Sequence, residues 1–312
     1  MSPDLLLSPA AEPALKHQLQ PWAHQTTAGF TVRGLRSPAT GKPVIHFIHG
    51  NGYSGLVYEH LLQPLLEHAD LVISDIQGHG ESDHGGSFKG WNATALLCEE
   101  ALREVRKSYL DAKGEPMPVH GLGHSFGAVM TTLMMANAPT LFRQSVLLDP
   151  VLFTPPMLRL MAVSSSVGLW KRNAMASRAR KRRAHWSDAR QAFEYFHQRG
   201  IFKGWDDRCL QSYVNHGLKP VKEGGLTLRC EPERESELFA TYPRGLWRAV
   251  KKVRTPTHLI YGQRTYPFVG KSVARWQAMD PALTVDESPG GHCFMLEYPE
   301  QTAERVLNRL AL

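Results

Sequence analysis

Apolar residues fall in short runs, and these alternate with stretches of helical spacing. Val44–His49 (VIHFIH) is nearly continuous in apolar character, the pattern of a strand buried on both faces. Thr27–Leu35 predicts a strand ahead of it, across the turn Ser-Pro-Ala-Thr-Gly-Lys-Pro at 37–43. Further on, Tyr58–His68 predicts a helix, Leu71–Ser74 a short strand and Asn92–Leu110 a helix with Leu96, Leu97, Val105 and Tyr109 among its apolar positions. Pro118–Leu122 then predicts a strand, Ala128–Asn137 a helix and Ser145–Leu148 a strand. Such alternation implies a mostly parallel central sheet flanked by helices. It stops between Thr154 and Ala249, where the sequence reads as mainly helical, with aromatics mixed among charges. It resumes with His258–Tyr261, Ser272–Ala278, Leu283–Asp286 and Glu300–Leu310 as strand, helix, strand and helix. The expected organisation is an α/β core, residues 1–153 and 250–312, carrying a helical lid of residues 154–249 inserted after strand 6. The Pro-rich residues 1–25 are expected to form an irregular arm.

Composition narrows the class without deciding it. Of 312 residues, 42% are hydrophobic and 21% charged, an ordinary globular balance. No apolar run reaches the roughly 18 residues that span a bilayer, and MSPDLLLSPA lacks the basic and apolar regions of a secretory signal. The four cysteines (Cys98, Cys209, Cys230, Cys293) are scattered and form no CxxC pair, so reduced thiols in a cytoplasmic protein are expected. The net charge of +7 is local. Lys171, Arg172, Arg178, Arg180, Lys181, Arg182 and Arg183 lie in one acid-free stretch, and without them the chain carries 29 basic residues against 29 acidic. That distribution argues against a nucleic-acid-coating protein.

Three motifs carry chemistry. Gly123-His124-Ser125-Phe126-Gly127 matches G-x-S-x-G between a predicted strand and a predicted helix, the setting of a nucleophile elbow. His49-Gly50-Asn51-Gly52 follows the strand VIHFIH. Acyl transfer needs preorganised N–H donors for a developing oxyanion, and the Asn51 and Phe126 backbone N–H groups are the candidates. A Gly-rich loop serving only close packing is the other reading of 49–52. Gly290-Gly291-His292-Cys293-Phe294 follows the last predicted strand, and His292 is the candidate base for Ser125.

These motifs, with Asp75-Ile76-Gln77-Gly78-His79-Gly80-Glu81-Ser82, resemble the α/β-hydrolase fold superfamily, of the lidded serine-hydrolase kind. They span nearly the whole chain except 154–249. The resemblance implies the fold and a hydrolytic triad, and it assigns no catalytic role to Asp75 or Ser82. One departure is informative. The family usually places its acid after the seventh strand in a pattern like G-x-x-D, but here Gly262-Gln263-Arg264-Thr265 ends in a threonine. Some relatives place the acid after the sixth strand instead. In this chain that is Asp149, at the end of SVLLDP, with Asp286 and Glu287 as weaker candidates. A serine rather than an aspartate nucleophile favours acyl substrates over halides and epoxides.

His124, Met157 and Met161 are expected to contact substrate. Met157, Leu160, Met161, Val163, Val167 and Trp170 form an apolar face that suits either an acyl pocket or lid–core packing. The basic stretch 171–183 is either a solvated helix face or an attractor for an anionic partner. No HExxH, zinc-spaced cluster, P-loop or dinucleotide fingerprint appears, so no metal or cofactor is expected. The expected function is hydrolysis of carboxylic esters of small to medium, largely apolar substrates. Thioesterase, C–C hydrolase and perhydrolase are alternatives on the same triad, and a non-catalytic ligand-binding protein is the alternative of another class.

Overall fold

The run VIHFI becomes the strand at the middle of the architecture. In the computed structural model, which describes residues 14–166, 170 and 173–312, all five of its residues are buried. Val44 and Ile48 pack into the apolar cluster on one face of the sheet, and Ile45 and Phe47 into the cluster on the other. That is the two-sided burial expected of a parallel strand covered by helices.

The strands are β1 (Gln20–Gln25), β2 (Thr31–Arg36), β3 (Val44–Ile48), β4 (Asp70–Asp75), β5 (Val119–His124) and β6 (Gln144–Leu148). An insertion follows, carrying β7 (His185–Trp186), β8 (Leu218–Pro220) and β9 (Leu226–Leu228), before β10 (Thr257–Arg264) and β11 (Thr284–Gly291). Eight strands form the main sheet in the order β1-β2-β4-β3-β5-β6-β10-β11. The pairs β1–β2 and β2–β4 are antiparallel and the rest parallel. Helices Trp91–Val105, Phe126–Asn137 and Pro267–Met279 cover one face, and Glu59–Leu66 and Pro299–Leu310 cover the other.

Strand order reverses between β3 and β5: the chain leaves β3 for β4 on one side and returns to β5 on the other. Ligands of open α/β sheets bind at such a switch point, beyond the carboxyl ends of the strands. HGNG follows β3 and GHSFG spans the end of β5, the two strands that flank it.

Two expectations need correction. Residues 20–25, read as part of an irregular arm, form β1 in a hairpin with β2. Trp22 is the one buried residue of β1, and its Nε1–H donates to Leu35 O (3.2 Å) and Ile73 O (3.1 Å). The insertion, mainly helical as expected, also holds the three-stranded antiparallel sheet β7-β9-β8. Its buried Trp186, Phe196, Phe202, Trp205 and Tyr213 join the same apolar cluster as Ile45, Phe47 and Tyr53 of the sheet layer. Val167, Lys171 and Arg172 lie outside the described residues, as do residues 1–13. No helix among the described residues is long and apolar enough to cross a membrane.

Candidate active site

Ser125 sits between β5 and the helix Phe126–Asn137 with φ 55° and ψ −113°. This backbone strain is characteristic of a sharp strand-to-helix turn. The flanking glycines make it possible. A methyl at Gly127 would lie 2.0 Å from Ile48 O, and one at Gly123 would lie 2.6 Å from Gly127 C. The turn thus packs backbone against backbone, which only glycine allows.

His292 follows β11, and Asp149 follows β6 with φ 43°. The structure brings the three residues together. Ser125 Oγ is 2.8 Å from His292 Nε2, and His292 Nδ1 is 2.9 Å from Asp149 Oδ1. Asp149 is fully buried, and two further donors hold its carboxylate: the Gly262 N–H on Oδ2 (2.7 Å) and the Thr265 hydroxyl on Oδ1 (2.5 Å). Thr265, where the resemblance places an acid, is therefore a donor to the acid on the neighbouring strand. Asp286 is engaged elsewhere, by His258 and Arg309, and Glu287 accepts from the Tyr261 hydroxyl.

The loop bearing His292 is closed by Glu297, which accepts the Gly291 N–H (2.6 Å) and a bond from Arg264 (3.1 Å). The Tyr266 ring packs against the His292 imidazole at 4.8 Å between centroids.

The Asn51 and Phe126 backbone N–H groups meet no acceptor among the described residues. The Asn51 side chain donates to Glu235 O (3.2 Å), tying its loop to the insertion. The next N–H, of Gly52, donates to His79 Nε2 (3.0 Å), leaving His79 Nδ1–H to donate to Gln77 O (3.1 Å). Cys230, from the insertion, also meets His79 Nε2 (3.2 Å). Burial pushes the Cys230 thiol pKa well up and the His79 pKa well down, so both stay neutral. Within the 75–82 segment, Asp75 accepts the Gly55 and Glu81 N–H groups, and the Ser82 hydroxyl donates back to Asp75 O.

His124 is a correction. It does not line the cavity beside Ser125 and is fully buried. The Gly50 N–H donates to the Tyr58 hydroxyl (3.2 Å), which donates to His124 Nδ1 (2.6 Å); His124 Nε2–H then donates to His292 O (3.0 Å). Burial first, and the neighbouring His292 second, lower the His124 pKa well below the usual value, so the ring is neutral and can take both roles. Its ring links Tyr58 to the loop of His292 and does not border the cavity.

Met157 and Met161 do line a cavity of about 680 Å³ that reaches Ser125 and His292. Trp91, Phe126, Phe153 and Phe268 form much of the remaining apolar wall. Leu160 and Val163 face outward, being 63% and 67% exposed, so the apolar face read from the sequence divides between cavity and surface. A larger cavity, about 800 Å³, opens beside Trp22, Arg33 and Arg229, but neither Ser125 nor His292 borders it.

The sequence reading missed Tyr58, His79, Cys230 and the role of Thr265. Only Thr265 had a signal, as the place of a missing carboxylate. The others act through contacts between segments apart in the chain, Tyr58 with His124 across 66 residues and Cys230 with His79 across 151.

The geometry agrees with the sequence relationships. A model of the alpha/beta hydrolase family matches residues 47–305. A type I acyl-CoA thioesterase of Penicillium brevicompactum is 32% identical over 184 residues, covering 55% of this chain and 39% of that protein. Human monoglyceride lipase is 30% identical over 125 residues, covering 40% of each. The matched stretch thus spans about two fifths of the length of these relatives. Among solved structures, E-2-(acetamidomethylene)succinate hydrolase superposes with a TM-score of 0.75 at 20% identity, covering 94% of this chain and all of that one. An esterase of M. tuberculosis gives 0.69 at 18% identity, covering 95% and 93%. At these identities the structural likeness speaks for the fold alone. With the family match covering most of its length, the chain belongs to the alpha/beta hydrolase family.

Proposed function

We propose that this protein is a serine hydrolase that cleaves carboxylic esters of small to medium, largely apolar substrates through an acyl-enzyme. The observation that carries the reading is the continuous contact Ser125–His292–Asp149 at the floor of an apolar cavity. Ser125 Oγ attacks the substrate carbonyl as its proton passes to His292 Nε2. Asp149 holds the His292 Nδ1–H and stabilises the imidazolium that forms. The Asn51 and Phe126 N–H groups, both beside the cavity, receive the oxyanion with their dipoles preoriented. His292 then gives its proton to the leaving oxygen as the acyl–oxygen bond breaks. A water, deprotonated by His292, attacks the acyl-enzyme, and the proton returns to Ser125 Oγ as the carboxylic acid departs.

The reading assigns residues 1–153 and 250–312 to a catalytic core and 154–249 to a lid that determines which acyl groups enter. Met157 and Met161 suit an acyl wall because their flexible thioethers adapt to varied shapes. Four buried, unpaired thiols support a reducing compartment such as the cytoplasm. Thioester hydrolysis is the second reading. It uses the same steps with a thiol as leaving group, and the similarity to an acyl-CoA thioesterase favours it.

The test is labelling by a fluorophosphonate probe, followed by a p-nitrophenyl ester series of increasing chain length. Wild type should label and Ser125→Ala should not. Wild type that neither labels nor turns over any ester would instead indicate a ligand-binding protein on this fold.

A further inference from the structure

Three guanidinium side chains border the cavity that holds Ser125: those of Arg178, Arg182 and Arg199. Glu235 is the single carboxylate among the described residues that line it. Arg182 is already committed, pairing with Glu235 and donating to the Tyr213 hydroxyl (3.1 Å). The Arg178 guanidinium, on the helix Ala174–Arg180, has no hydrogen bond or ion pair among the described residues. The Arg199 guanidinium rests over the Tyr195 ring at 4.6 Å, with no carboxylate partner among them. The rest of the basic stretch is partly occupied. Arg180 donates to Ser236 Oγ (2.9 Å) and Arg183 to His185 O (2.7 Å). Arg178 and Arg199, both exposed and with no carboxylate partner among the described residues, therefore stand at the rim of a largely apolar cavity, both on the insertion and neither on the sheet core.

Charges at the rim of a largely apolar cavity steer anions toward it, and the planar guanidinium matches carboxylate and phosphate in a two-pronged geometry. We propose that the cavity takes an ester or thioester whose apolar part lies against Met157, Met161 and Phe153 and whose anionic group, carboxylate or phosphate, is held by Arg178 and Arg199. The inference deepens the hydrolase reading by naming a substrate class, and it rests on that reading for the reaction but not for the binding. The anion has two possible sources, the far end of the acyl chain or the leaving group.

Two matched pairs separate those sources. For the leaving group, the hexanoyl thioester of coenzyme A is compared with that of N-acetylcysteamine. For the acyl end, mono-p-nitrophenyl adipate is compared with p-nitrophenyl hexanoate. Affinity is measured by calorimetry on Ser125→Ala, which holds substrate without turnover. In at least one pair the anionic member should bind about tenfold more tightly, as expected of charge-assisted recognition. The gap should fall to about twofold in Ser125→Ala with Arg178→Gln and Arg199→Gln, and likewise in about 0.5 M salt. Arg178→Lys with Arg199→Lys should keep part of it, because the charge remains while the planar fork is lost. Equal binding within both pairs, or a preference that survives the glutamine variants, would overturn the proposal. Fluorophosphonate labelling of wild type tests the hydrolase reading separately. Labelling without an anion preference removes only the anion site, whereas an anion preference without labelling removes only the reaction.

Discussion

Replacing Asp149 by Asn tests the least expected part of the site, an acid supplied by β6 instead of β10. The carboxylate is fully buried and accepts three bonds, from Gly262 N–H (2.7 Å), Thr265 O–H (2.5 Å) and His292 Nδ1–H (2.9 Å). An amide has one acceptor oxygen for these three donors, and its NH2 must face one of them. His292 then loses both its tautomer control and its countercharge. In the best-studied serine triad the same change lowers kcat by about 10⁴, or roughly 5 kcal/mol of transition-state stabilisation. A loss of that order is expected here in p-nitrophenyl butyrate hydrolysis. KM should change little, since Asp149 does not line the cavity. The structure also supplies a rescue. Thr265 Oγ1 and His292 Nδ1 contact the same oxygen, Asp149 Oδ1. An aspartate at 265 is therefore close enough to replace the lost carboxylate. Asp149→Asn with Thr265→Asp should recover activity to within about 10² of wild type, the cost of roughly an ångström of misplacement. Circular dichroism melts of each variant exclude unfolding as the cause. An Asp149→Asn enzyme within tenfold of wild type would refute the assignment of the acid, and a double variant no better than the single one would refute the argument from shared geometry.

Other expectations concern residues that brace the site. His124→Phe breaks the link from Tyr58 to His292 O and should lower kcat by about three- to tenfold, the worth of one ordinary hydrogen bond, at nearly constant KM; a raised KM at unchanged kcat would return His124 to substrate contact. Arg182→Gln strands Glu235 at the cavity wall and should cost about 2–3 kcal/mol in urea denaturation, less than a fully buried pair because Arg182 is 21% exposed. A loss under about 0.5 kcal/mol would mean that the pair is mere decoration of the surface. Glu59 and His216 meet at 3.8 Å between the helix Glu59–Leu66 and the helix Asp207–Gly217, and the facing atoms Oε2 and Nε2 have no hydrogen bond. Burial raises Glu59 from 4.5 to about 7 and lowers His216 from 6.5 to about 4. The Glu59 contribution to stability is complete below pH 4.5 and lost as pH rises through 7; the His216 contribution is complete above pH 6.5 and lost as pH falls through 4. Each is about 3 kcal/mol and they oppose each other, so Glu59→Gln should leave stability rising with pH and His216→Asn should leave it falling, as read by denaturation midpoints between pH 4 and 7. Parallel slopes in the two variants would contradict the scheme.

Much of this protein was legible along the chain because its decisive features are local. A serine between Gly123 and Gly127, after a strand and before a helix, specifies its own strained turn. The hydrophobic runs specify a parallel sheet, since a strand buried on both faces needs apolar residues throughout. Asp149 is reached through the family resemblance: a threonine stands where the usual acid would, and Asp149 occupies the alternative position that some relatives use after the sixth strand. β1 stayed hidden because QPWAHQ holds one buried side chain, Trp22, and a proline that suits an edge strand. What the tertiary structure alone decided is which way polar side chains point. His124 follows the same backbone as Ser125, yet its ring turns into the core to meet Tyr58. Thr265 became a donor to Asp149 because β6 and β10 lie side by side. Arg178 and Arg182, four residues apart in one basic stretch, both border the cavity, yet the Arg178 guanidinium has no partner among the described residues while Arg182 is bound to Glu235. Periodicity along a sequence records which face of an element is apolar. A hydrogen bond between distant segments depends on distances of about 3 Å set by the packing of the whole chain, and no local pattern encodes them.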